Sequence, residues 1–191
     1  MYTQAIDILL SGGIGVLPTD TLYGIVGSAH NRETVERIYA LKGRDENKPL
    51  IILVSSLEEI KTFGVHIGDV EKKLLKSVWP GKISVIFPCN NEIYKYLHRG
   101  EKSLAFRIPA SPTLTDVLKK TGPLVAPSAN MQGKEPAHAI SEARNYFGET
   151  VDFYIDGGEI TSLPSTIVKI EKGHFIVLRH GAFDVSKPPT N

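Results

Sequence analysis

Leu50-Ile51-Ile52-Leu53-Val54 is an unbroken apolar run between Lys48-Pro49 and Ser55-Ser56, and it constrains the fold more than any other segment. A strand apolar on both sides belongs inside a sheet, with other layers above and below it. The segments around it alternate in kind. Residues 2–11 place Ile6, Leu9 and Leu10 at helical spacing, and Gly12-Gly13 stops them. Residues 14–17 read as a second buried strand. Asn31 is placed to cap a helix through about Leu41 with Val35, Ile38 and Tyr39 on one face. Ser56-Leu57-Glu58-Glu59 spells a capping box for the next helix. Further along, a helix over residues 69–78 ends before Pro80-Gly81, and strands follow at 83–87 and 104–108. Pro112 suits the first turn of a helix through Lys120. A short strand at 124–126 and a helix at 140–147, closed by Gly148, come next. Residues 165–170 and 175–179 flank Glu171-Lys172-Gly173-His174 and predict a hairpin. This order predicts an α/β fold, a twisted open mixed β-sheet with flanking helices.

The 191 residues, 41% of them hydrophobic, fit a single domain over residues 1–183 with a short tail over 184–191. Lys+Arg number 22 against 21 Asp+Glu, a formal charge of +1, which excludes a polybasic nucleic-acid coat but leaves room for a local basic cleft. Cys89 is the single cysteine, so no intrachain disulfide or cysteine metal cluster can form, and it reads as a structural thiol. No basic segment leads into a long apolar run, and no stretch approaches the length of a membrane span, so a cytoplasmic location without membrane contact is expected. There is no phosphate-binding G-x-x-x-x-G-K-[ST] loop. Gly13-Ile14-Gly15 precedes its strand and lacks a dinucleotide motif's third glycine. The six histidines show no paired metal-binding spacing, so no metal site is expected, and no G-x-S-x-G elbow presents a nucleophile.

Four polar clusters remain. Lys42 and Arg44 flank Gly43, a residue free to leave the helix with positive φ, so both cations could turn toward one anion; equally, they could complement the helix dipole. Ser128-Ala129-Asn130 follows a strand end, where ligands of open sheets bind, or forms an ordinary turn. Arg107 and Arg179 each end an apolar strand and could grip phosphate or carboxylate, or lie in solvent; Ser165-Thr166 opens the last hairpin. Thr19, Thr21 and Tyr23 alternate beyond the first strand, so they line one face while Asp20 points elsewhere, or they cap a following helix. Together these describe a positive, hydroxyl-rich cleft suited to an anionic ligand.

Six blocks, Pro18-Thr19-Asp20-Thr21-Leu22-Tyr23-Gly24, Lys42-x-Arg44, Phe106-Arg107-Ile108-Pro109, Pro127-Ser128-Ala129-Asn130, Pro164-Ser165-Thr166-Ile167-Val168 and Leu178-Arg179-x-Gly181, stand in the order in which the YrdC-like family carries them. The chain resembles that family over about residues 5–183. The resemblance implies a nucleotidyltransferase that makes threonylcarbamoyl-AMP and pyrophosphate from L-threonine, bicarbonate and ATP, for N6-threonylcarbamoyladenosine formation in tRNA next to the anticodon. It implies that Lys42 and Arg44 act as the catalytic pair on the ATP phosphates, with Arg44 also near the substrate carboxylate. Asn130 and Arg179 would contact the nucleotide, while Thr19, Thr21, Tyr23, Ser128 and Ser165 would form the threonine pocket. Arg107 would stand at the same cleft. Magnesium is expected on the triphosphate, and separate proteins are expected to carry the product to tRNA, with direct tRNA contact left open. Residues 48–53 lack a histidine that some members carry there, and the chain resembles the short, single-domain type. Two other readings stand beside this one: a non-catalytic tRNA- or RNA-binding module, and a paralogue with a different acceptor.

Overall fold

The computed structural model describes residues 1–186, so within the expected 184–191 tail residues 187–191 lie outside the described residues. In chain order the elements are α1 (Tyr2–Leu10), β1 (Ile14–Pro18), β2 (Tyr23–Ser28), α2 (Arg32–Lys42), β3 (Ile51–Leu53), α3 (Leu57–Lys61), α4 (Asp69–Val78), β4 (Ile83–Pro88), α5 (Lys95–His98), β5 (Ser103–Arg107), α6 (Pro112–Thr121), β6 (Leu124–Val125), α7 (Ile140–Phe147), β7 (Phe153–Tyr154), β8 (Thr166–Glu171) and β9 (His174–Arg179). The strands form one sheet in the order β7-β1-β2-β6-β3-β5-β4-β8-β9. The β1–β7, β3–β5 and β4–β8 pairs are parallel and the rest antiparallel, so the sheet is mixed, as the alternation of elements predicts.

Local sequence explains most helix ends. Asn31 Oδ1 accepts from the Thr34 N–H, and Gly43 closes α2 in the left-handed region at φ 57°. Ser111 caps α6 ahead of Pro112. At α3 the predicted capping box shifts by one residue: Ser56 Oγ accepts from the Glu59 N–H, but the Glu59 carboxylate accepts from the backbone N–H and hydroxyl of Ser55.

Side-chain alternation divides the core. Val16, Ile25 and Ile52 face a large cluster completed by Val35, Ile38 and Tyr39 of α2 and by Leu75 and Phe147. Leu17, Val26 and Leu53 face the other way, into a smaller cluster with α1 (Ile6, Leu9) and α6 (Leu114, Leu118). The smaller layer draws nothing from β4, β5, β8 or β9. On those strands Phe175 and Val177 pack on the large cluster, while Ile176 and Leu178 on the opposite face are 40% and 51% exposed. The sheet is therefore covered on both faces at one end and on one face at the other. Ile51, expected to be fully enclosed, is only half-buried because β3 stands at that transition. Past residue 183, Val185 still packs on the core.

Candidate active site

The chain reverses directly after β1. Thr19 Oγ1 donates to Leu22 O at 2.7 Å and accepts from the backbone N–H groups of Thr21 and Leu22, both at 3.2 Å. This local bonding makes a turn, and Tyr23 then opens β2 antiparallel to β1. Two expectations are corrected here. Thr19, Thr21 and Tyr23 do not alternate along one extended strand, and β2, which Tyr23 opens, separates the turn from the helix at Arg32.

The turn, the ends of β5 and β9, and the loops after β6 and before β8 enclose a cleft of about 260 Å³. Of the expected hydroxyl groups, those on Thr19, Thr21, Tyr23, Ser128 and Ser165 belong to residues on its wall. Three guanidinium residues join them: Arg44, Arg107 and Arg179. Register explains how two of these meet. Val85 pairs with Phe106, so Ser84 lies beside Arg107; Ser84 pairs with Ile167, and Ile167 with Arg179. All stand on the face that α1 and α6 leave uncovered.

Arg107 is buried, not solvated. Its Nη1 donates to Thr21 Oγ1 at 3.0 Å and lies 2.9 Å from Asp20 Oδ1 in an ion pair without hydrogen-bond alignment. Asp20 stays off the cleft wall, as expected, and its side chain is buried: its Oδ2 accepts from the Ala110 N–H. Burial lowers the pKa of Arg107, the Asp20 charge opposes that, and Arg179 lowers it further. Arg179 is lowered by burial and then by Arg44. Arg179 thus repels Arg107 on one side and is repelled by Arg44 on the other, within one cleft. Arg179 Nη2 donates to Ser165 O at 2.8 Å, and Arg44 donates through Nε and Nη2 to Lys48 O and Pro49 O. Those carbonyls fix both guanidinium planes.

Lys42 differs from its expectation. It remains in the last turn of α2, 3% exposed, and does not line the cleft. Its Nζ donates to Ser128 O and Asn130 O, each at 2.5 Å, and to Asn130 Oδ1 at 3.3 Å. Gly43 does leave the helix as anticipated, but it turns Arg44 alone toward the cleft. Burial, then the Arg44 charge, pushes Lys42 down to about 7. Asn130 is also behind the wall: Oδ1 accepts from Ser128 Oγ at 2.6 Å, while Nδ2 donates to Met131 O and Lys134 O. These bonds make Lys42 and Asn130 a brace for the loop that carries Ser128.

Tyr23 donates its hydroxyl to Gly158 O at 2.7 Å and accepts from the Gly157 N–H at 2.8 Å. Burial raises its phenol above the ordinary range, partly offset by that N–H. Ser165 Oγ shares a 2.9 Å hydrogen bond with Ser84 Oγ. Sequence reasoning missed Ser84, Asp20 as a partner, and the 156–158 loop. Ser84 is the one that left a signal, as a lone hydroxyl inside the apolar run of residues 83–87. The described residues hold no group of three or more His, Cys, Asp or Glu arranged for a metal, and no carboxylate lines the cleft. No helix among them is long and apolar enough to cross a membrane.

Comparison with known proteins adds a family. The Sua5/YciO/YrdC family, described as "Telomere recombination", matches residues 7–181. A putative threonylcarbamoyl-AMP synthase of Methanocaldococcus jannaschii is 34% identical over 180 residues, covering 94% of this chain and 84% of that protein. The crystal structure of Pyrococcus abyssi Sua5 complexed with L-threonine superposes with a TM-score of 0.87 at 28% identity, covering 94% of this chain and 54% of that one. This chain therefore spans about half of that longer protein. Escherichia coli YciO superposes with a TM-score of 0.85 at 25% identity, covering 97% and 91%.

Proposed function

The chain belongs to the Sua5/YciO/YrdC family, and from that premise we propose that it is a threonylcarbamoyl-AMP synthase. Threonine amine and bicarbonate give a carbamate and water; a carbamate oxygen then attacks the α-phosphorus of ATP and pyrophosphate leaves. The observation that carries this reading is the convergence of Arg44, Arg107 and Arg179 on one cleft, with Arg107 and Arg179 each lowered by a neighbouring arginine as well as by burial. A cleft of mutually repelling cations favours a ligand with several negative charges, and every reactant here except the threonine amine is anionic. The chemistry needs alignment and charge neutralisation, not a covalent nucleophile.

Arg44 and Arg179, on the wall with their planes fixed by carbonyls, are assigned to the phosphates. Arg107 lies deeper, against Asp20 and Thr21. Thr21, Ser128 and Ser165 are assigned to the amino acid, with Thr19 and Tyr23 on the same wall, while Lys42 and Asn130 hold that wall from behind. The base has a place beside the phosphates. A hollow that shares Arg44, Pro49, Ile51 and Ile167 with the cleft has Ile51, Ala105 and Ile86, in cross-strand register, as its floor. Asn47, Lys48, Glu101 and Ser103 supply polar groups at its rim. Magnesium is assigned to the triphosphate, entering with ATP, because Asp20 is committed to Arg107 and Ala110. Delivery of the product to tRNA falls to separate proteins under this reading.

Pyrophosphate release from magnesium-ATP should require both L-threonine and bicarbonate. Purified protein that releases none under those conditions overturns the assignment. Release driven by another amino acid, with threonine inert, would keep the cleft and change the acceptor.

A further inference from the structure

Tyr39 meets Arg44 at both ends. Its backbone carbonyl accepts from the Arg44 N–H at 3.1 Å, where Gly43 turns the chain out of α2. Its hydroxyl donates at 2.9 Å to Lys48 O, the same oxygen that accepts from Arg44 Nε at 3.1 Å. A carbonyl oxygen has two lone pairs, and these two donors fill them. Tyr39 is the fixed member of the set, since it is 3% exposed and its ring belongs to the large cluster under α2. The turn that carries Lys48 closes on itself: the Lys48 N–H donates to Asp45 O, and the Asp45 carboxylate accepts from the Asn47 N–H. Among the described residues, hydrogen bonds reach this turn from outside only through Arg44, Tyr39 and Gln132.

Arg99 holds the Tyr39 ring in turn. Its Cζ lies 3.9 Å from the ring centroid, and Nη2 donates to Glu36 Oε2 at 2.8 Å, so it is anchored to the helix that carries Tyr39. It closes α5 at φ 52°, in the left-handed region that favours glycine, although Gly100 is the next residue. An arginine kept in that conformation points to a role for its side chain. Burial raises the Tyr39 phenol, and Arg99 and then Arg44 oppose this, so both cations act on the one hydroxyl. Neither Tyr39 nor Arg99 lines the cleft or the hollow assigned to the base; Arg99 opens on a separate hollow with Arg32 and Glu92.

We propose that Tyr39 and Arg99 are positioning residues for phosphate binding: Arg99 holds the Tyr39 ring, Tyr39 holds the Lys48 carbonyl, and that carbonyl aims the Arg44 guanidinium at the cleft. The inference rests on the function proposed above, which assigns Arg44 to the phosphates, and adds the residues that preorganise it. With Nε and Nη2 held by Lys48 O and Pro49 O, the Nη1 protons are left for an anion. A long side chain ordered in advance loses less freedom when the anion arrives.

Calorimetric binding of inorganic triphosphate with magnesium tests this without turnover, in wild type, Tyr39→Phe, Arg99→Gln and Arg99→Lys, each with Arg44 in place and with Arg44→Gln. Arg107 and Arg179 keep the Arg44→Gln background able to bind an anion, and thermal melts establish that each variant is folded. Tyr39→Phe keeps the ring and its stack and removes only the donor, so it should weaken triphosphate binding about threefold to tenfold. Arg99→Gln should weaken it by a similar factor, and Arg99→Lys, which restores a cation over the ring, should recover most of the loss. Both losses should shrink below about 1.5-fold in Arg44→Gln, where the residue they act through is gone. Losses that persist undiminished without Arg44 mean a general loosening of the site and overturn the proposal. So does wild-type affinity in a folded Tyr39→Phe protein; if that variant does not fold, the Arg99 pair carries the same test. Wild type that binds no triphosphate overturns this inference and the phosphate assignment together. Pyrophosphate release as proposed above, beside an unaffected Tyr39→Phe, overturns this inference alone.

Discussion

Lys42 ends α2 with its ammonium against the carbonyl oxygens of Ser128 and Asn130, so a side chain expected to meet a phosphate instead joins the helix to the loop after β6. The position has a measurable cost. Burial and Arg44 push this amine to about 7, whereas an unfolded lysine titrates near 10.4. As a neutral amine it still has two N–H donors for the two carbonyls. Between pH 7 and 10 the unfolded chain binds the extra proton, so stability rises with pH across that window, and below about 7 the penalty for a buried charge is fully present. Lys42→Met leaves the carbonyls without a donor at every pH but has no proton to lose. The unfolding free energy of wild type relative to Lys42→Met should therefore improve by about 2–3 kcal/mol from pH 7.5 to 9.5, at up to about 1.4 kcal/mol per pH unit. Urea melts of both proteins at the two pH values read this directly. A gap that does not change with pH would mean that the ammonium stays charged in its carbonyl cage.

At the scale of elements, the decisive feature is a helical layer that stops partway across the sheet. α1 and α6 pack on Leu17, Val26 and Leu53, and beyond β3 nothing among the described residues replaces them. Ile51, Ala105 and Ile86 are left as an apolar floor next to three arginines. If the base lies there, Ala105→Trp should raise the KM for ATP roughly tenfold by occupying the floor, while inhibition by inorganic triphosphate, which has no base, stays as in wild type. Weakening of both ligands alike would remove the base from this hollow. Of the helices all but the short α5 were readable from sequence because their signals are local: Asn31 and Gly43 mark α2, and Pro112 marks the start of α6. β2 was not, because Gly24 and Gly27 dilute its apolar pattern, and the reason for glycine is tertiary. A Cβ on Gly27 would stand 2.4 Å from the Thr34 methyl, so α2 packs at this distance only against a bare backbone. The same limit hid the bare face. Ile51 and Ile86 read like any enclosed strand residues, since a sequence does not say where a neighbouring layer ends. Arg107 and Arg179 could be named as candidates, but their placement in one register row depends on strand pairings between distant segments. The burial of Lys42 is likewise a property of the assembled loop.

Across the whole molecule, the cleft gathers residues from 19 to 179, so its two sides come from opposite ends of the chain. Arg44 and Arg179 push against each other across it, and among the described residues only Arg107 has a carboxylate, Asp20, as its ion-pair partner there. An anion that bridges the sides removes this repulsion and ties distant segments together. It should therefore stabilise the fold as a unit. Ligand at about one hundred times its Kd adds roughly 2.7 kcal/mol. For a chain of this size each kcal/mol moves the midpoint by about 2–4 °C. Magnesium-ATP with L-threonine should thus raise a single thermal transition by about 5–10 °C, more than either ligand alone. Arg179→Gln should separate stability from binding. Loss of a repelled charge offsets loss of its bond to Ser165 O, so the ligand-free midpoint should move little, while the ligand-induced shift falls below about 2 °C. Thermal melts of both proteins, with and without ligands, give all four values. An undiminished shift in Arg179→Gln would place the phosphates away from β9 and leave Arg44 as the cation that holds them.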